Sequence, residues 1–237
     1  MTKEEFLQQF GHFIDAPNGI QKLRELVLQL AVQGKLVQQD SRDESTCKLL
    51  KMMVDDNELL VNSGGIKKQK ILPEINLDET PHSIPPQWGW VRLGNAVEVL
   101  DNLRKPVTKA DRKPGPYPYY GASTIVDYVS DYLFDEPLVL IGEDGAKWGA
   151  GDHTAFTISG KTWVNNHAHV LRPNRSIIID KFIVMTLVAM DLAPFITGMT
   201  VPKLNQTRLN LIVLPIAPLP EQHRIVARVD ELMDFCD

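Results

Sequence analysis

Apolar residues follow a helical period at both ends of the chain. In residues 218–237 they recur at intervals of three and four, at Ile225, Val226, Val229, Leu232 and Met233. Residues 20–33 carry a similar stripe, at Ile20, Leu23, Leu26, Val27, Leu30 and Ala31. Each stripe is the apolar face of a helix, and Gly34 follows the N-terminal one as a helix stop. The pattern therefore predicts an amphipathic helix at each end.

Two packing arrangements are open for these helices. Each stripe could pack on the domain between them, as amphipathic helices commonly do. Alternatively, the two stripes could pack on each other, or on a second chain, as a coiled-coil-like arm. The spacing of the apolar residues fits both arrangements equally well.

Between the two helices the pattern changes to short apolar runs separated by glycine and proline, which is typical of β-strands. The runs expected to form strands are residues 96–100, 125–129, 138–141, 154–158, 163–164 and 168–171. Residues 176–193 are apolar nearly all round, which predicts a buried helix, and residues 209–216 resemble a last strand. The expected fold is α+β, a mostly β domain with a buried helix, flanked by N-terminal and C-terminal amphipathic arm helices.

These patterns divide the chain into three expected segments: a helical arm and linker at 1–83, a domain at 84–217, and the start of a C-terminal helix at 218–237. Within the first segment, residues 46–60 can support another short helix. Residues 62–70 combine small residues with three lysines, which favours a solvated linker over a phosphate contact.

Composition narrows the class of protein. A hydrophobic fraction of 43% and a charged fraction of 23% are typical of an ordered globular chain. The formal net charge of −5 argues against indiscriminate nucleic-acid binding but leaves room for a local basic surface. Two cysteines are too few for a disulfide framework or a zinc site, and no run approaches the ~20 apolar residues that span a bilayer. We therefore expect a cytoplasmic protein without membrane contact.

Three strings resemble one family. PLPEQHRIVARVDELM at residues 218–233 resembles a helix start in the DNA-specificity subunits of type I restriction-modification systems, and LAVQGKLVQQD at 30–40 resembles the end of such a helix. PPQWGWVRLG at 85–94 resembles the segment that leads into a target-recognition domain. The resemblance covers most of the chain and implies a single target-recognition domain.

Full-length members of that family resemble two such units in tandem, each of which reads one half of a split DNA target. The resemblance therefore implies a half-size subunit that pairs with itself through the arm helices, or a fragment. A self-paired subunit would read a two-fold symmetric target. The implied partners are double-stranded DNA, the modification (methyltransferase) subunits and, through them, the restriction subunits, and no cofactor is implied.

Four stretches resemble strings of the family's recognition domains, and we expect DNA contacts from three of them. They are YPYYGAS at 117–123, IGEDGAKWGAG at 141–151, WVNNHAH at 163–169 and TGMTVPKLNQTR at 197–208. Hydroxyls, amides and cations of this kind bind phosphates and sugars. The predicted DNA-binding residues are Tyr117, Tyr119, Tyr120, Ser123, Lys147, Thr200, Lys203, Asn205 and Arg208.

Each stretch also has a structural interpretation. The tyrosine-rich stretch could be a hairpin that fills its own core. Asp144 is better suited to capping a turn than to reading a cytosine amine. Residues 163–169 favour internal hydrogen bonding over base reading, although His167 and His169 would share a face on a strand, and no further metal ligand is spaced nearby.

Motifs for catalysis are missing from the sequence. It contains no Asp/Asn-Pro-Pro-Tyr methyltransferase motif, no nuclease arrangement of a carboxylate pair followed by carboxylate-x-lysine, and no Gly-x-Ser-x-Gly elbow. We therefore predict a non-catalytic specificity subunit without catalytic or metal-binding residues. Two alternatives stay open: a detached module of a fused restriction-methylation enzyme, and a scaffold that does not read DNA.

Overall fold

The computed structural model describes residues 17–46, 49–50 and 72–236. The expected linker at 62–70 and most of the expected helix at 46–60 lie outside these residues. The described helices are α1 (Gly19–Val32), α2 (Leu93–Ala96), α3 (Asp180–Ala189), α4 (Gln206–Leu211) and α5 (Leu219–Asp234). The described strands are β1 (Gly89–Arg92), β2 (Val97–Val99), β3 (Pro114–Tyr120), β4 (Ile125–Val129), β5 (Phe134–Asp135), β6 (Leu138–Gly142), β7 (Ala155–Ile158), β8 (Lys161–Val164), β9 (Ala168–Pro173) and β10 (Val213–Ile216).

The described strands form three sheets. The central sheet has the antiparallel order β2-β9-β6-β7, and a second sheet has the order β4-β3-β8-β5. The second sheet is mixed, because β3 and β8 run parallel, with Tyr119 opposite Trp163. β1 and β10 form a separate antiparallel pair, with Gly89 opposite Ile216. This pair brings the two ends of the expected domain together, because β1 lies near its start and β10 near its end.

Strand β6 lies at the centre of the molecule, and both of its faces are covered. Val139 and Ile141 point into the core under the helices. Leu138 and Leu140 point into a second core, which lies under the second sheet. A strand covered on both faces has apolar residues at every position, which explains the uninterrupted run that the sequence shows here.

Helix α3 lies within the stretch where a buried helix was predicted, and its burial confirms that prediction. Phe182, Ile183 and Leu187 of α3 are completely buried. The helix packs between the central sheet and the two arm helices, α1 and α5, whose inward residues join the same core. The observed architecture is the α+β fold that the sequence predicts.

The arm helices pack on the domain and also on each other. Gln29 of α1 donates a hydrogen bond to the carbonyl of Ala189, at the end of α3. Arg24 of α1 donates to the carbonyl of Cys236, just after α5, at 3.1 Å. Both arrangements left open by the sequence therefore occur together. Gly34 ends the N-terminal arm as predicted, with a φ of 68° that favours glycine.

One local prediction is wrong. The expected strand at 209–216 begins as helix α4 and becomes β10 only from Val213, because Asn205 caps α4 by accepting a hydrogen bond from the backbone N–H of Arg208.

The tyrosine-rich stretch forms most of β3, which pairs with β4 in an antiparallel hairpin and with β8 on its other side. This agrees with the hairpin interpretation of the stretch, whereas the pairing with β8 depends on a distant segment.

Candidate nucleic-acid interface

The four stretches singled out in the sequence meet beyond the end of β6. The backbone N–H of Glu143 donates to the carbonyl of His167, and the N–H of Leu204 donates to the carbonyl of Glu143, each at 2.8 Å. The carbonyl of Ala122 is so near Gly142 that a Cβ there would lie 3.2 Å from it. We call this surface the loop end, and define it as residues 121–124, 142–147, 165–167 and 197–205.

A buried cluster of charges holds the loop end together. Glu143 is 7% exposed, and its carboxylate pairs with Arg104 and, at 2.7 Å, with Lys203. Arg104 also contacts the carboxylate of Asp101 at 3.2 Å and donates to the carbonyl of Ala168. Burial alone would raise the pKa of Glu143, but the hydrogen bonds from Lys203 and Arg104 outweigh it and lower that pKa. The ionised cluster ties together segments that are far apart in the sequence.

The His169 side chain connects this cluster to the 197–205 stretch. It is almost completely buried, with Nδ1 against the carboxylate of Asp101 and Nε2 at 2.6 Å from the carbonyl of Leu204. His167 instead precedes β9, is half exposed and contacts Asp144. The condition under which the two histidines would share a strand face is therefore not met, because only His169 belongs to the strand. Asp144 contacts His167, which lies outside the turn that contains Asp144. Capping of that turn therefore does not fully account for the contacts of the Asp144 side chain.

The cluster also contains a possible set of metal ligands that the spacing in the sequence did not suggest. Asp101, Glu143 and His169 each place a ligand atom within 4.8 Å of the other two. Arg104 and Lys203 already occupy the carboxylates of this group. A divalent cation would have to displace these two cations, so the arrangement fits an ion-pair network better than a metal site.

Comparison with known proteins identifies the family. The model of the family described as the type I restriction modification DNA specificity domain matches residues 85–237. The chain belongs to this family. This confirms the relationship that the three strings of the sequence suggest. In the specificity domain, the part of the chain that the structure describes contains no helix long and apolar enough to cross a membrane.

Curated relatives agree with this assignment. The chain is similar to the EcoAI specificity subunit of the type I restriction enzyme of Escherichia coli, with 31% identity over 241 residues, 92% of this chain and 40% of that protein. It is similarly related to the EcoEI specificity subunit of Escherichia coli, with 30% identity over 255 residues, 97% of this chain and 43% of that protein. The chain thus spans about two fifths of the length of these relatives.

Solved structures share the fold. The S subunit of the type I restriction-modification system of M. genitalium superimposes with a TM-score of 0.54 at 15% identity, over 99% of this chain and 52% of that chain. A structure concerned with complex assembly and conformational transition of the type I restriction-modification system gives 0.52 at 18% identity, over 92% of this chain and 50% of that chain. At these identities the likeness concerns the fold alone.

Several predicted DNA-binding residues lie at or next to the loop end. Lys147, Thr200 and Arg208 are exposed, and Ser123 is half-buried. Within the described part of the specificity domain, neither Lys147 nor Arg208 forms an ion pair. Their cationic groups are therefore directed to solvent and are available to a polyanion.

Lys203 and Asn205 have internal roles that the sequence did not indicate. Lys203 is 42% exposed, yet its amine pairs with Glu143. Asn205 caps α4 and also donates from Nδ2 to the hydroxyl of Thr197 at 3.1 Å. Both side chains shape the 197–205 stretch, and a DNA contact from either stays a prediction.

The tyrosines of β3 divide between core and surface. Tyr119 is 1% exposed, its hydroxyl accepts a hydrogen bond from the backbone N–H of Val107 at 3.1 Å, and the guanidinium of Arg112 lies 4.4 Å from its ring centre. The predicted DNA contact of Tyr119 is therefore corrected to a structural role, because no surface is left for DNA. Tyr117 and Tyr120 are half-buried, and their contacts with DNA stay predictions.

The first turn of α5 contains two buried polar residues, which the apolar stripe of this helix does not indicate. Glu221 is completely buried and accepts hydrogen bonds from the indole of Trp88 at 3.0 Å and from Gln39 at 2.6 Å. Burial raises the pKa of the Glu221 carboxyl. Gln222 donates to the carbonyl of Ile177 at 2.6 Å. Glutamate and glutamine at a helix start are usually solvated. The hydrogen bonds of Glu221 with Trp88 and Gln39, and of Gln222 with Ile177, show that these two side chains fix α5 to the domain.

Proposed function

We propose that the specificity domain reads a DNA sequence for a type I restriction-modification complex, as one half of a bipartite target. The observation that carries this proposal is the meeting of four separate stretches at the loop end. Donors and cations from three of these stretches lie on that surface, at the exposed Lys147 and Thr200 and at the half-buried Ser123. Arg208 adds a further cation from the first turn of α4.

The charge distribution supports duplex DNA as the ligand. Cations on the surface neutralise phosphates and release counterions, which supplies sequence-independent affinity. Hydroxyls and amides then contact base edges, provided that they are held in register. The buried cluster around Glu143 supplies this register, since it fixes the 142–147 and 197–205 stretches to each other. With a formal net charge of −5, the chain requires its partners to supply part of the phosphate neutralisation.

The partners follow from the family and from the two-sided shape of the domain. We propose that residues 84–217 recognise DNA while α1 and α5 dock the modification subunits and, through them, the restriction subunits. A second copy, or a second unit, pairs through the same helices and reads the other half-site. In this assignment the domain itself carries out no chemistry and works in the cytoplasm beside the chromosome.

The test is methylation mapping in a host that expresses this chain with its modification subunit. We expect methylation at one fixed sequence motif. Arg208→Gln and Lys147→Gln should each lower methylation of that motif, whereas Lys35→Gln, at an exposed lysine outside α1, α5 and the loop end, should leave the sequence and its occupancy unchanged. A residue that touches phosphate weakens all targets alike, and a residue that touches a base relaxes one position of the motif.

Two results would contradict this function. Methylation without any sequence preference would identify a scaffold that does not read DNA. Methyl transfer, DNA cleavage or ATP hydrolysis by the isolated chain would identify the module of a fused enzyme instead. Each result is observable in the same strains or with the same purified chain.

A further inference from the structure

A basic segment outside the predicted DNA-binding residues crosses the second sheet. Residues 105–113, here called the lysine segment, carry Lys105, Lys109, Arg112 and Lys113 against a single acid, Asp111. The chain as a whole has a formal net charge of −5. These nine residues therefore carry a net positive charge, whereas the net charge of the whole chain is negative.

The lysine segment follows a fixed path, although it is irregular apart from one short 3-10 turn. The indole of Trp163 donates to the carbonyl of Lys105 at 2.7 Å. The hydroxyl of Tyr119 accepts from the N–H of Val107, and Arg112 returns to the carbonyl of Val107 at 3.2 Å while its guanidinium covers the Tyr119 ring. Ordering an exposed segment costs conformational entropy, and these aromatic side chains of the sheet offset that cost.

The lysines of this segment are left available. Arg112 pairs with Asp127 at 3.1 Å, and Asp111 accepts a hydrogen bond from Thr108. Lys105, Lys109 and Lys113 are exposed, and no acidic side chain of the described residues pairs with any of them. The acids of the neighbourhood are thus already engaged, and three amines face solvent from a fixed backbone.

The lysine segment begins at the loop end. Its first residue follows Arg104, whose guanidinium lies in the buried cluster with Glu143. The N–H of Lys105 faces the carbonyl of Val164 at 3.4 Å, immediately before the 165–167 stretch. A duplex seated on the loop end would therefore have its phosphates close to Lys105 and, farther along, to Lys109 and Lys113.

We infer that the lysine segment is a second DNA-contact surface, which binds the phosphate backbone next to the base pairs read at the loop end. This inference rests on the proposed function. Its ligand is the backbone of duplex DNA rather than base edges, because lysine amines are mobile point charges with little power to discriminate bases. Tyr119 and Trp163 are the positioning residues of this surface and do not touch the DNA.

The experiment compares three variants of the complex with the modification subunit. The first combines Lys105→Gln, Lys109→Gln and Lys113→Gln, and the second replaces the same lysines by arginine. The third removes equal charge outside the lysine segment, the loop end, α1 and α5, through Lys35→Gln, Arg42→Gln and Arg175→Gln. Binding to a duplex that carries the methylated motif, and to an unrelated duplex, is measured over a range of salt concentrations.

We expect the glutamine variant to bind both duplexes about 10-fold to 100-fold more weakly at ~0.1 M salt. The slope of log K against log salt should become shallower by about two to three, since each phosphate contact contributes roughly 0.9 to that slope. The methylated motif should stay the same. The arginine variant and the third variant should keep the original slope.

Three outcomes would overturn the inference. An unchanged slope in the glutamine variant would show that these lysines do not meet phosphate. A loss in the arginine variant would show that charge is not what matters. Loss of the modification subunit, seen by size-exclusion chromatography, would assign the lysine segment to a protein partner. The proposed function fails by a different result, namely equal binding of the motif and the unrelated duplex by the unmodified complex.

Discussion

The helical side and the loop end of this specificity domain are held together by opposite kinds of contact. On the helical side α1, α3 and α5 share one apolar core, to which Ile225 and Val229 contribute. At the loop end the binding forces are ion pairs and hydrogen bonds among Arg104, Glu143 and Lys203. The first kind of contact is non-directional, whereas the second has defined geometry.

This difference suggests a division of work. An apolar interface tolerates changes of side chain that keep its volume, so the helical side can hold the domain in place while its sequence varies. A charged cluster loses much of its stability when one member is removed, because the remaining charges stay buried without compensation. We therefore expect substitutions at the loop end to affect DNA reading, and substitutions among the arm helices to affect assembly and stability.

The largest effect is expected at Arg104. Arg104→Ala removes the guanidinium that Glu143 and Asp101 share, so that Glu143 keeps Lys203 and Asp101 keeps His169, and it should reduce the free energy of unfolding by about 3 kcal/mol or more. Urea denaturation measures this loss. The control is Arg172→Ala, which breaks pairs with Glu98 and Glu136. Because the side chain of Arg172 is 37% exposed, solvent screening limits its cost to about 1 kcal/mol or less. Equal losses of unfolding free energy in the two variants would contradict the expected difference between buried and exposed ion pairs.

The next effect is expected on the helical side, at Ile225. This side chain is completely buried, so Ile225→Ala should cost about 2–4 kcal/mol through lost burial and a residual cavity. Ile225→Leu keeps the volume and should cost less than about 1.5 kcal/mol. Thermal denaturation gives both values, and methylation mapping should return an unchanged motif. A changed motif would mean that the helical side also takes part in reading.

A smaller effect is expected at the cap of α4. Asn205→Ala removes the acceptor for the N–H of Arg208 and should reduce stability by about 1 kcal/mol. Asn205→Asp keeps that acceptor and should recover most of the loss, although it gives up the bond to Thr197. Chemical denaturation of the two variants measures how much of the lost stability the aspartate recovers. Equal losses would locate the contribution of Asn205 in the contact with Thr197 rather than in the cap.

The smallest effect at neutral pH, and the one that contrasts the two regions most directly, is the response to acid. The pKa of Glu143 lies below its ordinary value of 4.5 because the hydrogen bonds from Lys203 and Arg104 outweigh its burial. Its contribution to stability is present above pH 4.5 and is lost as the pH falls through the lower folded-state pKa. Glu221 behaves in the opposite sense, because burial raises its pKa above 4.5. Its contribution is complete below pH 4.5 and is lost as the pH rises through the raised pKa.

Two variants separate these responses. Glu143→Gln should remove the part of the acid destabilisation that appears below pH 4.5. Glu221→Gln should remove the loss of stability that appears as the pH rises above 4.5. The free energy of unfolding, followed from about pH 3 to pH 7, reports both effects. Slopes of the same sign for the two residues would contradict the assignment of a pKa lowered by ion pairs to Glu143 and of a pKa raised by burial to Glu221.

Local sequence determined the elements whose burial is visible in their own periodicity. The stripes of α1 and α5, the all-round apolar run of α3 and the uninterrupted run of β6 follow from which faces are covered. The resemblance of three strings to specificity subunits also came from the sequence and was confirmed. Periodicity works here because each of these elements is defined by contacts repeated along its own length.

Tertiary structure alone decided the loop end. Arg104, Glu143, His169 and Lys203 are separated in the sequence, and they meet only because the end of β6, the start of β9 and the stretch before α4 lie side by side. Burial of Glu221 against Trp88 and of Tyr119 beneath Arg112 has the same origin. A charged or aromatic side chain shows in its local sequence what it can bind, but its actual partner depends on how distant segments are brought together by the sheets.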